Sequence, residues 1–203
     1  MDRANFFLRL RAGFGVWRYY TGGDFQQTAP VLPPSAACGL LCVLADAPWE
    51  SLNVARVAVG RLREAEPQRV LQHTLVHPTK SVDAAGYGAA HGEKFWIRPA
   101  HRPFLNGIDV VVGIQAPAET AECLCAALAD GPILWAGDTC FGFERVEVVG
   151  EVGHAEWAAP VPGGSGPAFP LDVRVDRADA TKSVRRLFRW SPDLAEAWVE
   201  PAP

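Results

Sequence analysis

Apolar and basic residues alternate near the start of the chain, from Phe6 to Arg11, as Phe-Phe-Leu-Arg-Leu-Arg. In a strand this spacing sends Leu8 and Leu10 to a core and turns Arg9 and Arg11 outward, a half-exposed strand with positive charge. Pro33 and Pro34 then pin the backbone in an extended turn, and Ser35 is the expected cap of a helix running from about Ser35 to Ala45. The β-branched run of Val54, Val57 and Val59 predicts a strand over Leu52–Leu62, and Arg69–Val76 predicts another. Val110–Gln115 is a continuous apolar run, as a strand buried on both faces requires. Pro117 marks the start of a second helix over Ala118–Ala129. Further strands are expected at Ile133–Ala136, Phe143–Val152 and Leu171–Val175. The order strand, helix, strand, strand, helix, strand fits an α+β chain with a ferredoxin-like (RRM-like) core.

Two stretches break this pattern. Between the strand ending near Val76 and the one starting near Ile108, residues 78–94 are rich in glycine and alanine and lack apolar periodicity. Loops this long inside a compact domain are usually functional or disordered. Strand-like residues resume at Phe95-Trp96-Ile97-Arg98. Later, residues 160–167 form a proline- and glycine-rich loop, followed by Lys182, Arg185, Arg186 and Arg189 interleaved with Val184, Leu187 and Phe188. That cluster fits a nucleic-acid backbone, an acidic partner surface or a solvated amphipathic edge.

Composition narrows the classes. At 203 residues and 49% hydrophobic, the chain can bury a substantial core and is read as one domain, residues 1–203, with a C-terminal elaboration from about 153 to 203. No run resembles a membrane span or a signal peptide, so a cytoplasmic protein with no membrane partner is expected. The net charge of -4 rules out a surface coated in basic residues, but nucleic acid needs only a local stripe. The five cysteines are odd in number and form no C-x-x-C pair. They are read as buried, reduced thiols, with no metal and no cofactor expected.

The proline turn leads into a helix of small residues. Ala36, Ala37 and Gly39 leave it little bulk on one face, so a backbone or flat ligand can approach its N-terminus, where N–H groups and the helix dipole favour a phosphate. This turn, Thr28-Ala-Pro-Val-Leu-Pro-Pro-Ser-Ala-Ala-Cys-Gly-Leu-Leu41, follows the arginine-bearing aromatic segment Gly13-Phe-Gly-Val-Trp-Arg18. The pair resembles the DevS-type branch of the Cas-five family, CRISPR-associated Cascade subunits of the repeat-associated RNA-binding (RAMP) superfamily. The resemblance is strongest from Phe6 to Leu44 and extends in part over Val76–Ile114.

That resemblance implies a ferredoxin-like core with a protruding β-hairpin thumb, inserted here at about 77–98. It also implies a non-catalytic member of an antiviral-defence ribonucleoprotein, a type I surveillance complex. Such a subunit binds and caps the 5′ handle of the crRNA and bridges the Cas-seven backbone and Cas-eight large subunits. Target DNA near the PAM would be met mostly indirectly. Lys80, Tyr87, His91 and Lys94 would populate the thumb, with Arg98 and Arg102 at its base.

The residue types suit RNA. Arginine and lysine meet phosphates, aromatic rings stack on unpaired bases, and small residues admit the backbone to base edges. The expected RNA-binding set is Arg9, Arg11, Trp17, Arg18, Gln27, Thr28, Pro34, Ser35, Ala36 and Gly39 together with the six thumb residues. Trp17 fits a core position as well as a stacking one. Some members of the family cut the repeat RNA with a tyrosine and an adjacent lysine-histidine pair. No Lys-His dipeptide occurs here, so no catalytic residue is expected; a metal-independent endoribonuclease is the alternative. Walker, Rossmann and G-x-S-x-G fingerprints are absent.

Overall fold

The computed structural model describes residues 3–17, 28–76, 96–131, 142–161, 167–176 and 182–200. For 72–76 and 96–101 it describes the backbone alone. The elements are β1 (Arg3–Gly15), α1 (Pro34–Ala45), β2 (Arg56–Arg61), β3 (Glu66–Val76), β4 (Trp96–Pro117), α2 (Ala118–Ala129), β5 (Arg145–Val149), β6 (Glu156–Pro160), β7 (Phe169–Arg174) and β8 (Val184–Ser191). The strands join one antiparallel sheet in the order β5-β1-β4-β2-β6-β8-β7, and β3 pairs with β4 off this path. With β3 set aside, the first part of the chain runs β1-α1-β2-β4-α2-β5, and its sheet order β5-β1-β4-β2 is that of a ferredoxin-like α+β core.

The alternation in β1 produces the two faces. Phe6, Leu8, Leu10 and Ala12 are buried on the side covered by the helices, while Phe7, Arg9 and Arg11 point the other way. β4 is buried on both sides at its centre, as its continuous apolar run requires. Val110, Val112 and Ile114 join the main core with Leu40 and Leu41 of α1 and Leu124 of α2. Val111 joins a smaller cluster on the outer face with Ala58, Trp157 and Ala197, flanked by Phe7 and Trp198.

α1 starts one residue earlier than expected. Pro33 is its N-cap and Pro34 occupies the first turn, without a side-chain cap hydrogen bond, so Ser35 is not the cap. Proline suits that place because its missing N–H would have had no partner there. The strand expected over Leu52–Leu62 is confined to Arg56–Arg61, since a 3-10 turn at Trp49–Ser51 and a left-handed Asn53 (φ 51) come first. α2 has the predicted bounds. β6 was not anticipated, and β8 turns the basic cluster into a strand. The strand expected at Ile133–Ala136 lies outside the described residues.

β4 is 22 residues long because it serves two structures. Its later part pairs with β1 and β2 in the core sheet. Its first part pairs with β3, in register from Glu66 opposite Asn106 to Val76 opposite Trp96, and shares only Leu105 and Asn106 with β1. The boundary carries Gly107 at φ +71, a left-handed backbone that an L side chain adopts only with strain. The β3–β4 hairpin therefore projects from the core toward residues 77–95, where the thumb insertion was expected and which lie outside the described residues.

Candidate nucleic-acid interface

On the outer face of the β5–β1–β4 half, five charged side chains meet. Cross-strand register sets Arg11 opposite Asp109 on one side and Arg145 on the other, and sets Arg9 opposite Glu147. Arg9 reaches diagonally to Asp109 with a two-point fork, Nε to Oδ1 at 2.8 Å and Nη2 to Oδ2 at 2.6 Å. Its Nη1 is 3.8 Å from Glu147, and Arg145 holds the other oxygen of Glu147 at 2.7 Å. Arg11 Nε lies 3.7 Å from Asp109 Oδ2 and is buried without a hydrogen bond. The hydrogen bond to Asp109 raises the pKa of Arg9 above its ordinary value, with lesser support from the negative charge of Asp109 and Glu147 and against the lowering effect of burial. Three arginines face Asp109 and Glu147, and a third carboxylate, Glu144, accepts from the Gly13 N–H at 2.9 Å at the same end of β1, so the patch is close to charge balance. Arg145, at 61% exposure, is the arginine most open to solvent.

The centre of the same face is closed by the chain itself. Trp198 and Phe7 stand over Gly113, where an added Cβ would meet them at 3.2 and 3.3 Å. Trp157 is tilted against Phe7 with ring centroids 6.1 Å apart. An RRM-like sheet stacks bases on aromatic residues at this place. Here the chain's own tryptophans occupy it.

The expected site residues divide among several places. Arg9 and Arg11 lie together in the charged patch. Trp17 is 1% exposed in the main core, with its indole nitrogen unpartnered, so the core reading describes it and its ring offers no face to a base. Its backbone N–H donates to Thr28 Oγ1 at 3.1 Å, and Ala29 N–H donates to Trp17 O at 2.7 Å. Those bonds bring together the two flanks of residues 18–27. Arg18 and Gln27 lie in that stretch, outside the described residues.

Pro34 is buried, Ser35 and Ala36 are half-buried, and Gly39 is exposed, all on α1 and therefore on the side of the sheet opposite Arg9. The N–H groups of Ala36 and Ala37 both donate to Pro33 O at 3.0 Å, so those two amides are already satisfied. Arg98 registers opposite Thr74, and Arg102 opposite Val70, on the projecting hairpin. Arg102 is half-buried with its Nε unpartnered. Val70 and Leu71 on the facing arm are about half exposed. Lys80, Tyr87, His91 and Lys94 lie outside the described residues.

Sequence reasoning did not find Asp109, Glu147 and Arg145. Their signal is the period-2 placement of charge in Ile-Asp-Val and Arg-Val-Glu-Val, which becomes legible only once the register joins the strands. In the C-terminal basic cluster, Arg185 forks onto the buried Asp172 at 2.7 and 3.2 Å, and Arg189 lies 3.8 Å from Glu196. Arg61, from β2, sits 4.1 Å over the Trp190 ring.

The cysteines depart from expectation. Cys123 and Cys125 are exposed on α2, because Leu124 between them takes the inward position. Cys38 and Cys42 are half-buried, and Cys140 lies outside the described residues. Burial pushes the Cys38 thiol up to about 12 and raises that of Cys42. Trp157 is buried, and Trp49 and Trp198 are half-buried. No group of three His, Cys, Asp or Glu among the described residues is arranged to hold a metal ion, and no described helix is long and apolar enough to cross a membrane.

No family model and no curated protein matches the chain. Solved structures do. A chain of a CRISPR RNA-guided surveillance complex superposes with a TM-score of 0.60 at 16% identity, covering 97% of this chain and 91% of that one. The crystal structure of a Cas protein superposes with a TM-score of 0.52 at 15% identity, covering 93% and 94%. The chain shares its fold with Cas proteins. The likeness extends past the ferredoxin-like core into the C-terminal strands, since it takes in nearly all of both chains.

Proposed function

We propose that this chain is a non-catalytic RNA-binding subunit of a CRISPR RNA-guided complex, in which it holds the 5′ handle of the guide. The observation that carries this reading is the near-complete superposition on a chain of a CRISPR RNA-guided surveillance complex. The projecting β3–β4 hairpin, in the place where the resemblance puts a thumb, supports it. So do the arginines of the outer sheet face, of which Arg145 is the most exposed of the three. With the sheet centre filled by Trp157 and Trp198, RNA would be held by phosphate contacts at Arg11 and Arg145 and along the hairpin, not by base stacking on the sheet. The chain would bridge a Cas-seven backbone subunit and a Cas-eight large subunit, touching target DNA near the PAM mostly through the latter.

The test is a labelled repeat RNA incubated with the purified chain in EDTA, alone and with its partner subunits, reading shift and cleavage together. A shift without cleavage is expected. Arg11→Ala and Arg145→Ala should each weaken binding uniformly across sequences and lower the salt slope by about one. Arg18→Ala and deletion of residues 80–94 should weaken it further. Specific cleavage lost in Tyr87→Phe or His91→Ala would make the chain a processing nuclease instead. No shift even with the partner subunits present would reject the RNA-binding role.

A further inference from the structure

The β7–β8 ribbon gathers positive charge that the rest of the chain lacks. Residues 167–191 hold six arginines and lysines against three aspartates, a net +3 in a chain of -4, which leaves -7 for all other residues. That charge lies at the margin of the sheet opposite β5. On β8 the pairing with β6 runs from Ser191 to Phe188, so Val184, Arg185 and Arg186 have β7 alone beside them among the described strands.

Ion pairs sort these cations. Arg185 is forked onto the buried Asp172, and Arg189 lies 3.8 Å from Glu196. Arg174 and Arg186 make no ion pair and no side-chain hydrogen bond among the described residues. Register brings those two together. The shift between Asp172 and Arg174 sets Arg174 opposite Val184, and Arg186 follows two residues along on the same face. That diagonal step spans about 7–8 Å, within reach of long side chains. Arg186 is exposed and Arg174 half-buried, and Val175 next to Arg174 is exposed as well. Two like charges on one face repel, and no described carboxylate offsets this pair. The chain holds it ready for an anion from outside.

Chemistry selects that anion. A guanidinium matches the oxygens of a phosphate two at a time. A single small phosphate would meet two solvent-facing arginines against competing water and salt, whereas a polynucleotide adds contacts and releases counterions. RNA held at the Arg11–Arg145 margin also presents its further phosphates at a high effective concentration, an advantage that a separate acidic protein lacks. We infer that Arg174 and Arg186 form a second phosphate-backbone contact for the same RNA strand, at the opposite margin of the sheet. The inference rests on the RNA-binding reading and adds where the strand goes beyond the first margin.

The test measures affinity for labelled repeat RNA over a salt series, on the chain alone and on its complex with the partner subunits. Arg174→Ala with Arg186→Ala should lower the slope of log affinity against log salt by about 1.4, the single-strand value for two lost contacts. Arg174→Lys with Arg186→Lys keeps both charges and should restore most of that slope. Arg3→Ala with Arg63→Ala removes the same charge from two other exposed arginines that also lack an ion pair, and should move the slope by less than half as much. The melting temperature of the alanine pair should stay level or rise, because a repulsion is relieved. A folded alanine pair with the wild-type slope overturns the contact, and so does an equal loss in the Arg3 and Arg63 control, which would reduce the effect to net charge. Weaker RNA-free association with the protein subunits, or weaker self-association, at an unchanged RNA slope gives the pair to a protein surface and overturns it too. Each of these results leaves the RNA reading standing. No RNA shift by the wild-type chain, even with the partner subunits, rejects that reading and the second contact with it.

Discussion

Asp109 decides how much of the sheet's positive charge is free to act. It takes both fork hydrogens of Arg9 and lies within 3.7 Å of Arg11, so a phosphate approaching β1 competes with a carboxylate already in place. Hydrogen bonds between ionised groups are stronger than neutral ones, and Asp109 and Arg9 are only 18% and 27% exposed, so this competition is not screened away. Asp109→Asn keeps the shape and removes the charge. We expect it to cost roughly 1.5–3 kcal/mol of stability, the range for a hydrogen bond to a charged partner, read as a lower urea midpoint at unchanged slope. The same variant should bind single-stranded RNA more tightly and with a steeper salt dependence, because the Arg9 fork is released. Unchanged RNA affinity in a folded Asp109→Asn protein would mean that Arg9 serves the sheet and not the ligand. The sequence showed the arginines by their alternation in β1, but not their partners, which lie about a hundred residues away and meet them only through strand register.

The elements whose own residues declare them, by a proline start or an apolar run, were the ones legible in the sequence. α2 and the core run of β4 follow from Pro117 and from unbroken apolar residues, and the structure has them where expected. The Pro33–Pro34 turn did start a helix, though with proline in place of serine at its head. β6 escaped because its fit depends on β2, far back along the chain, and β8, whose partners β6 and β7 are near in sequence, because arginines interrupt its apolar positions. β6 joins β2 through only Gly60 opposite Trp157 and Arg61 opposite Glu156, and that seam requires the absence of a side chain at Gly60. A Cβ there would lie 2.8 Å from the Trp157 ring and 3.1 Å from the Glu156 carbonyl oxygen, a backbone atom that cannot move aside cheaply. Gly60→Ala is therefore expected to cost roughly 1–3 kcal/mol, the usual penalty for overpacking. Gly39→Ala is the matched control: the position is helical and open, so the same added methyl should stabilise by roughly 0.5–1 kcal/mol. Thermal melts that moved the two variants in the same direction would contradict this account of the seam.

At the scale of the whole molecule, the C-terminal strands complete the fold and are not an appendage to it. Phe188, Leu171 and Val173 enter the same core as β1 and the helices, while Trp157 and Ala197 cover Val111 and Ala58 on the opposite face. Val199 adds a reciprocal pair of backbone hydrogen bonds to Val57, on the β2 edge that β6 leaves open. A chain ending at Val152 would keep every element of the ferredoxin-like core and lose the cover on both faces at once. The edge of β2 would then stand unpaired beside exposed valine and phenylalanine, the combination that invites strand-to-strand association. We expect the 1–152 fragment to lose cooperative melting, to bind a hydrophobic dye and to aggregate on concentration, whereas the full chain melts in one transition. A fragment that melts cooperatively near the temperature of the full chain would instead make the ferredoxin-like part a unit that folds alone. The filled sheet centre follows from the same construction. The aromatics that hold the C-terminal strands against the sheet occupy the place where an open RRM-like sheet would receive bases, so any RNA is directed to the charged margin at β5 and β1 and to the hairpin.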